Sequence, residues 1–205
     1  TTLLEGDIIT VTGVIDYYNG AMQIAPLSNS SVSTGGVMAS LPGPVNIPVS
    51  TLNGPNSIQH MNTGEPYEGT FVEINDVVVT NVTNSGSGAT ARVNFTVADA
   101  SGNSITIYDK FLAQKLSSWT ALNPNSPATN GSFTAPSVGT YFSSIKGVVD
   151  HYDATTNCTG GYQIDPFDAS HYTVGESFPA ITNVAHNPVV PTSIDPITIT
   201  AEVED

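Results

Sequence analysis

Four carboxylates gather late in the chain, at Asp150, Asp153, Asp165 and Asp168. Ca²⁺ is a hard ion that takes several oxygens from neighbouring loops, and a hairpin would bring these four together. Their spacing does not follow an EF-hand loop. Aspartate also recurs in turns for backbone reasons, so a Ca²⁺ site and plain turn chemistry are both open readings. Five aromatic residues, Tyr17, Tyr18, Tyr152, Tyr162 and Phe167, concentrate around two similar passages of the chain. Rings exposed on a β barrel stack on sugars or bases, and the same rings can instead pair across strands and close the barrel.

Nothing else in the sequence assembles into a catalytic set. His60, His151, His171 and His186 are scattered without metal-ligand spacing, and Cys158 stands alone, so no internal disulfide forms. His151, between Asp150 and Asp153, is open to a His/Asp site, and the favoured reading is a strand-end surface histidine. There is no nucleophile elbow, phosphate loop or HExxH motif. These absences argue against an independent enzyme and leave Ca²⁺ as the one cofactor to consider.

Charge narrows the partners. Of 205 residues only four are basic, Arg92, Lys110, Lys115 and Lys146, against 18 acidic ones, for a net charge of -14. Nucleic-acid binders draw much of their affinity from Lys and Arg on phosphate, so nucleic acid is disfavoured and a glycan suits the exposed rings better. A surface of Thr, Ser, Asn and Gly is common in secreted and cell-surface bacterial proteins. No apolar run is long enough for a membrane helix, so membrane insertion is not expected. Asn-x-Ser/Thr triplets at Asn29, Asn81, Asn94, Asn130 and Asn157 are the yield of an Asn- and Thr-rich β sequence.

The elements that must carry these residues show an internal repeat. Thr12-Gly13-Val14-Ile15-Asp16-Tyr17-Tyr18, the turn Asn19-Gly20 and Met22-Gln23-Ile24-Ala25-Pro26 return as Lys146-Gly147-Val148-Val149-Asp150-His151-Tyr152 and Tyr162-Gln163-Ile164-Asp165-Pro166. One supersecondary unit is therefore used twice. Period-two apolar runs bounded by Gly, Asn and Pro recur throughout, which predicts an all-β chain. Strands are expected at 8–15, 21–25, 71–82, 92–98, 104–108, 141–150 and 161–164. A type I′ turn is expected at Asn19-Gly20, a helical turn at 111–116 and an extended piece at 45–52.

From residue 71 the order is strand, hairpin, short helix, strand, strand, that of a five-stranded OB-like Greek-key barrel. The passage from Gly64 to Ile74, the Asp99-Ala100-Ser101-Gly102-Asn103 hairpin and the repeated frame resemble the OB-fold-like modules of large secreted Bacteroidetes-type surface proteins and extracellular nucleases. The tail from Phe178 to Ala201 resembles the opening strands of an Ig-like domain. The resemblance implies final strands of a first OB-like unit at 1–30, a linker at 31–63, a complete OB-like domain at 64–176 and an Ig-like start at 177–205. It also implies a location outside the cell or on its surface, with any enzyme domain elsewhere.

If the chain is a whole polypeptide, partial domains at both ends leave unpaired β edges that invite completion by other copies; if it is a piece of a longer one, flanking domains supply the missing strands. Head-to-tail completion does not close, so it builds a filament. The expected function is a non-catalytic structural or assembly module of a secreted or surface protein. The alternative is an accessory module that holds substrate or glycan for a secreted nuclease or other hydrolase.

Overall fold

The structure is a computed structural model that describes residues 3–4, 6–38, 40, 42–85, 92–111, 134–153, 160–176 and 180–204. Cys158, Lys115 and, apart from Phe111, the expected helical turn at 111–116 lie outside the described residues. The chain divides into two compact units, 1–174 and 175–205. In chain order the first holds β1 (Asp7–Val11), β2 (Gly13–Tyr18), β3 (Ala21–Pro26), β4 (Val32–Val37) and β5 (Val45–Asn46). The one-turn helices α1 (Val49–Leu52) and α2 (Met61–Gly64) follow. Then come β6 (Phe71–Ser85), β7 (Arg92–Ala98), β8 (Ser104–Ile107), β9 (Tyr141–His151), β10 (Tyr162–Asp165) and β11 (Tyr172–Val174).

Strands β6, β7, β8, β10 and β9 hydrogen-bond in that order, and β9 returns to β6, closing a five-stranded OB-like barrel. Only β8 and β10 run parallel, with Gln163 opposite Thr106. Closure removes the sheet edges. Alternation supplies the core: Val93, Phe95 and Val97 of β7 point in, as do Ile105 and Ile107 of β8 and Ile145 and Val149 of β9. In β6 the inward positions change from even (Val72, Ile74) to odd (Val77, Val79). The step falls at Asp76, whose φ of 55° absorbs the extra residue.

Part of the expected linker belongs to this core. From Val45 onward the 31–63 stretch lies on the barrel: β5 pairs in parallel with the start of β6, and Ile47, Val49 and Leu52 are fully buried. The extended piece expected over 45–52 ends after Asn46, and α1 follows because Pro48 suits the residue before a first helical turn. The Ser/Gly/Pro composition masked three apolar side chains that fill one end of the barrel.

The sequence repeat is a structural repeat in identical register. Val14, Ile15 and Asp16 of β2 face Ala25, Ile24 and Gln23 of β3. Their equivalents Val148, Val149 and Asp150 of β9 face Asp165, Ile164 and Gln163 of β10. The match continues outward: Val11 of β1 faces Val32 of β4 as Ile145 faces Tyr172 of β11, each reached through a 3₁₀ turn, at Asn29–Ser31 and at Ala169–His171. The two copies differ in what covers them. Val149 and Ile164 are 1% and 0% exposed under the rest of the barrel, whereas Ile15 and Ile24 are 62% and 52% exposed.

In the second unit, β12 (Ala180–Asn187) and β13 (Thr198–Glu204) form one antiparallel hairpin where Ig-like strands were expected. Ile181 faces Val203 and His186 faces Ile199, and Val184, Ile199 and Val203 lie exposed. Among the described residues no helix is long and apolar enough to cross a membrane.

Candidate functional site

The first copy of the repeat lays its hairpin turn against the barrel beside the end of β9. Asn19 and Gly20, at φ 51° and 95°, form the tight turn expected of that pair. Gly20 bridges to Tyr152, and the Asn19 carbonyl accepts from the Asp153 N–H at 2.6 Å. Further along, the Met22 N–H donates to Glu68 Oε1 at 2.7 Å. Tyr17, Tyr18 and Tyr152, all more than half exposed, thereby belong to the one end of the molecule where hairpin and barrel meet.

The other two expected rings do different work. Tyr162 is 1% exposed and sits in the core, its hydroxyl donating to Glu65 Oε2 at 2.9 Å. It pairs in the barrel rather than offering a face to a ligand, because its position on β10 has the inward parity of Ile164. Phe167 is partly exposed but packs in its own ring cluster, 4.3 Å from His171 and 5.2 Å from Phe71 between centroids. His151 is buried, not a surface residue: it lies against Tyr162, has Gly20 packed on its ring and sets Nε2 3.0 Å from the Gly160 carbonyl.

The four late aspartates separate into distinct roles. Asp168 caps a 3₁₀ turn, accepting from the Ser170 N–H at 2.8 Å, and that bonding holds its carboxyl below the ordinary aspartate value. Asp153 accepts from the Gly160 N–H at 2.6 Å. Only Asp150 and Asp165 share a site. Asp150 is held by Lys110 Nζ at 2.7 Å and by the Gln163 amide at 3.1 Å. Among the described residues no group of three or more His, Cys, Asp or Glu is arranged to hold a metal ion. The physical reason is where they sit: Asp150 and Asp165 lie on the paired strands β9 and β10, whereas Asp153 and Asp168 lie beyond the strand ends.

Asp165 is the unusual group. It is fully buried, its carboxyl hydrogen-bonds that of Asp150, and among the described residues Lys110 Nζ is the cation nearest to it, at 4.0 Å. Burial, with the Asp150 charge second, pushes its carboxyl up to about 8 against the pull of Lys110. Asp165 and Asp150 line a cleft of about 320 Å³ whose other walls include Met22, Glu68, Lys110 and Phe111. Glu68 also presents a buried oxygen, Oε2, without a hydrogen bond, and burial raises its carboxyl.

Sequence reading passed over Lys110, Glu68 and Asn53. Lys110 carried a signal, being one of four basic residues, two positions beyond a strand. Asn53 carried none. It is fully buried and acts as a substitute strand for β10, donating from Nδ2 to the Tyr162 carbonyl at 2.8 Å and accepting from the Tyr162 N–H at 2.9 Å. Asn53→Ala leaves both groups unpaired and is expected to destabilise the barrel by about 2–3 kcal/mol in urea unfolding.

The three described basic side chains are engaged locally. Arg92 donates to the Tyr108 hydroxyl at 2.8 Å and lies over that ring, Lys110 pairs with Asp150, and Lys146 lies 3.8 Å from Glu73. Compared with family models, with curated proteins and with solved structures, the chain gives no match.

Proposed function

We propose that this chain is a non-catalytic structural module that assembles outside the cell by completing β structure between copies. The observation that carries the reading is the uncovered first repeat. Its hairpin register equals that of β9–β10, yet the face that the second copy buries is bare, with Ile15 and Ile24 exposed. At about 25 cal/mol per Å², covering such a face is a sizeable driving force. The β12–β13 hairpin offers a second bare face, with Ile199 and Val203 exposed. Joining the first face of one copy to the second face of another is a heterologous contact, which propagates into a filament. The composition, poor in lysine and rich in Thr, Ser, Asn and Gly, supports an extracellular or cell-surface setting.

Light scattering and negative-stain microscopy test this. The unmodified chain is expected to form concentration-dependent oligomers. Ile15→Thr/Ile24→Thr and Ile199→Thr/Val203→Thr are each expected to be monomeric, with an unchanged barrel melting temperature. Mixing the two variants should restore dimers but no longer chains, since each retains one competent face. An unmodified chain that stays monomeric at every concentration overturns the proposal.

A second reading, an accessory glycan-binding module, is favoured by one observation: Tyr17, Tyr18 and Tyr152 are exposed where the hairpin turn meets the barrel. Tyr18→Ala/Tyr152→Ala is expected to abolish any saturable oligosaccharide binding without affecting assembly, as read by affinity electrophoresis.

A further inference from the structure

A second cleft, of about 410 Å³, opens where the hairpin turn of the first copy meets the barrel, and both copies of the repeat bring the same residues to it. Tyr18 and Tyr152 occupy one position of the repeated frame, Gln23 and Gln163 another, and all four line this cleft. Neither tyrosine belongs to the core: the rings are 64% and 52% exposed, and Gln23 is exposed as well. Tyrosine rings and amide side chains suit the apolar faces and the hydroxyls of a sugar.

The charge of this cleft is opposite to that of the chain. Two of the three described basic residues, Arg92 and Lys110, line it, and Asp150 is the one carboxylate among its lining residues. Lys110 and Asp150, 2.7 Å apart, cancel and leave Arg92. Lys110 and Lys146 each face a carboxylate, at 2.7 and 3.8 Å, whereas Arg92 has none among the described residues. Its guanidinium instead lies over the Tyr108 ring, 5.7 Å from the centroid, and donates to the Tyr108 hydroxyl at 2.8 Å. Tyr108 is fixed in turn, since its N–H donates to the Ile164 carbonyl of β10 at 3.0 Å. A guanidinium carries several N–H groups in a planar fork that matches a carboxylate, and Tyr108 takes one of them.

We propose, resting on the glycan-binding reading of Tyr18 and Tyr152, that this cleft takes a short oligosaccharide bearing a carboxylate, of the uronic acid kind. The carboxylate pairs with Arg92, and the sugar rings lie against the two tyrosines. The volume is that of a small-molecule site. Nucleic acid is the poorer occupant, since one cation without a carboxylate partner cannot follow a phosphate backbone. The chain's charge of -14 repels anions in general, so saturable uptake of an acidic sugar reports this cleft rather than diffuse attraction. At physiological salt that repulsion is screened beyond about 8 Å, whereas a direct contact to Arg92 is not.

Titration calorimetry of the intact chain with trigalacturonate and with its methyl ester, which keeps the rings and removes the charge, provides the test. Amide chemical shifts are read in parallel. The acid is expected to bind saturably and at least tenfold tighter than the ester, with the largest shifts at Arg92, Tyr108 and Tyr152. Arg92→Gln should bring the acid down to the affinity of the ester, and Arg92→Lys should recover only part of the difference. Lys146→Gln, which removes the same charge away from the lining residues, should leave both affinities unchanged. Equal binding of acid and ester to the unmodified chain would overturn the proposal and leave the glycan-binding reading standing. Inorganic phosphate or acetate moving the same amides as strongly as the acid would mark a plain anion site and overturn it too. Binding of neither acid nor ester also overturns it; cellotriose and chitotriose, titrated alongside, then decide the reading of the tyrosines on their own.

Discussion

Gly147→Val is expected to destabilise the barrel by about 4 kcal/mol, seen as a large drop in urea midpoint. A Cβ on Gly147 would lie 2.5 Å from Ile164 Cγ2 and within 2.9 Å of the Asp165 carbonyl oxygen. Those atoms belong to β10, which is pinned by β8 on its far side and by Asn53 at its start, so it cannot retreat. The equivalent Gly13 would bring its Cβ to 2.3 Å from the Ala25 carbonyl oxygen, a clash of the same kind. There, among the described residues, β3 pairs with β2 alone, so its Ala25 end, away from the Met22 bond to Glu68, can splay. Gly13→Val should therefore leave the barrel transition within about 0.5 kcal/mol of the unmodified chain. The glycine that opens both copies of the frame thus has one physical cause, close approach of the following strand. Its consequence depends on whether that strand is held. Equal effects of the two substitutions would contradict this account.

Asp165→Asn is expected to change how stability depends on pH. The folded chain keeps the Asp165 proton up to about pH 8, while an unfolded aspartate loses it near 3.8. Between those values the folded state binds more protons, so the unmodified chain loses stability as pH rises through that window. The asparagine variant has no such proton and does not take part in this loss. The difference between the two should be small near pH 4, grow steadily, and level off above about pH 8 with the variant ahead by at least about 3 kcal/mol. Other titrating groups cancel in the difference, which makes the paired urea series the right measurement. Parallel curves across the window would mean that Asp165 ionises in the folded protein as it does in the unfolded one.

The strands were legible because alternation, turn residues and the repeated frame are local signals. The β7–β8 hairpin around Asp99 shows this: the Asp99 carboxylate accepts from the N–H groups of Ser101 and Asn103, as the composition of that turn implied. The candidate site was legible only in part. Asp150, Asp165 and the exposed tyrosines were singled out, but Tyr162, His151, Asp153 and Asp168 serve the fold, and Lys110 and Glu68 were not assigned to the site.

The sequence by itself determined an all-β chain, the barrel's strand order and the duplication of one hairpin unit, since each follows from spacing along the chain. Tertiary structure alone decided which face of each copy is covered. Val149 and Ile15 occupy the same position in the same motif, and one is buried while the other is bare. The difference lies in β6, β7 and β8, which close over the second copy only. A period of two fixes that a strand has two faces; only the neighbours brought in from a distance fix which of them meets water.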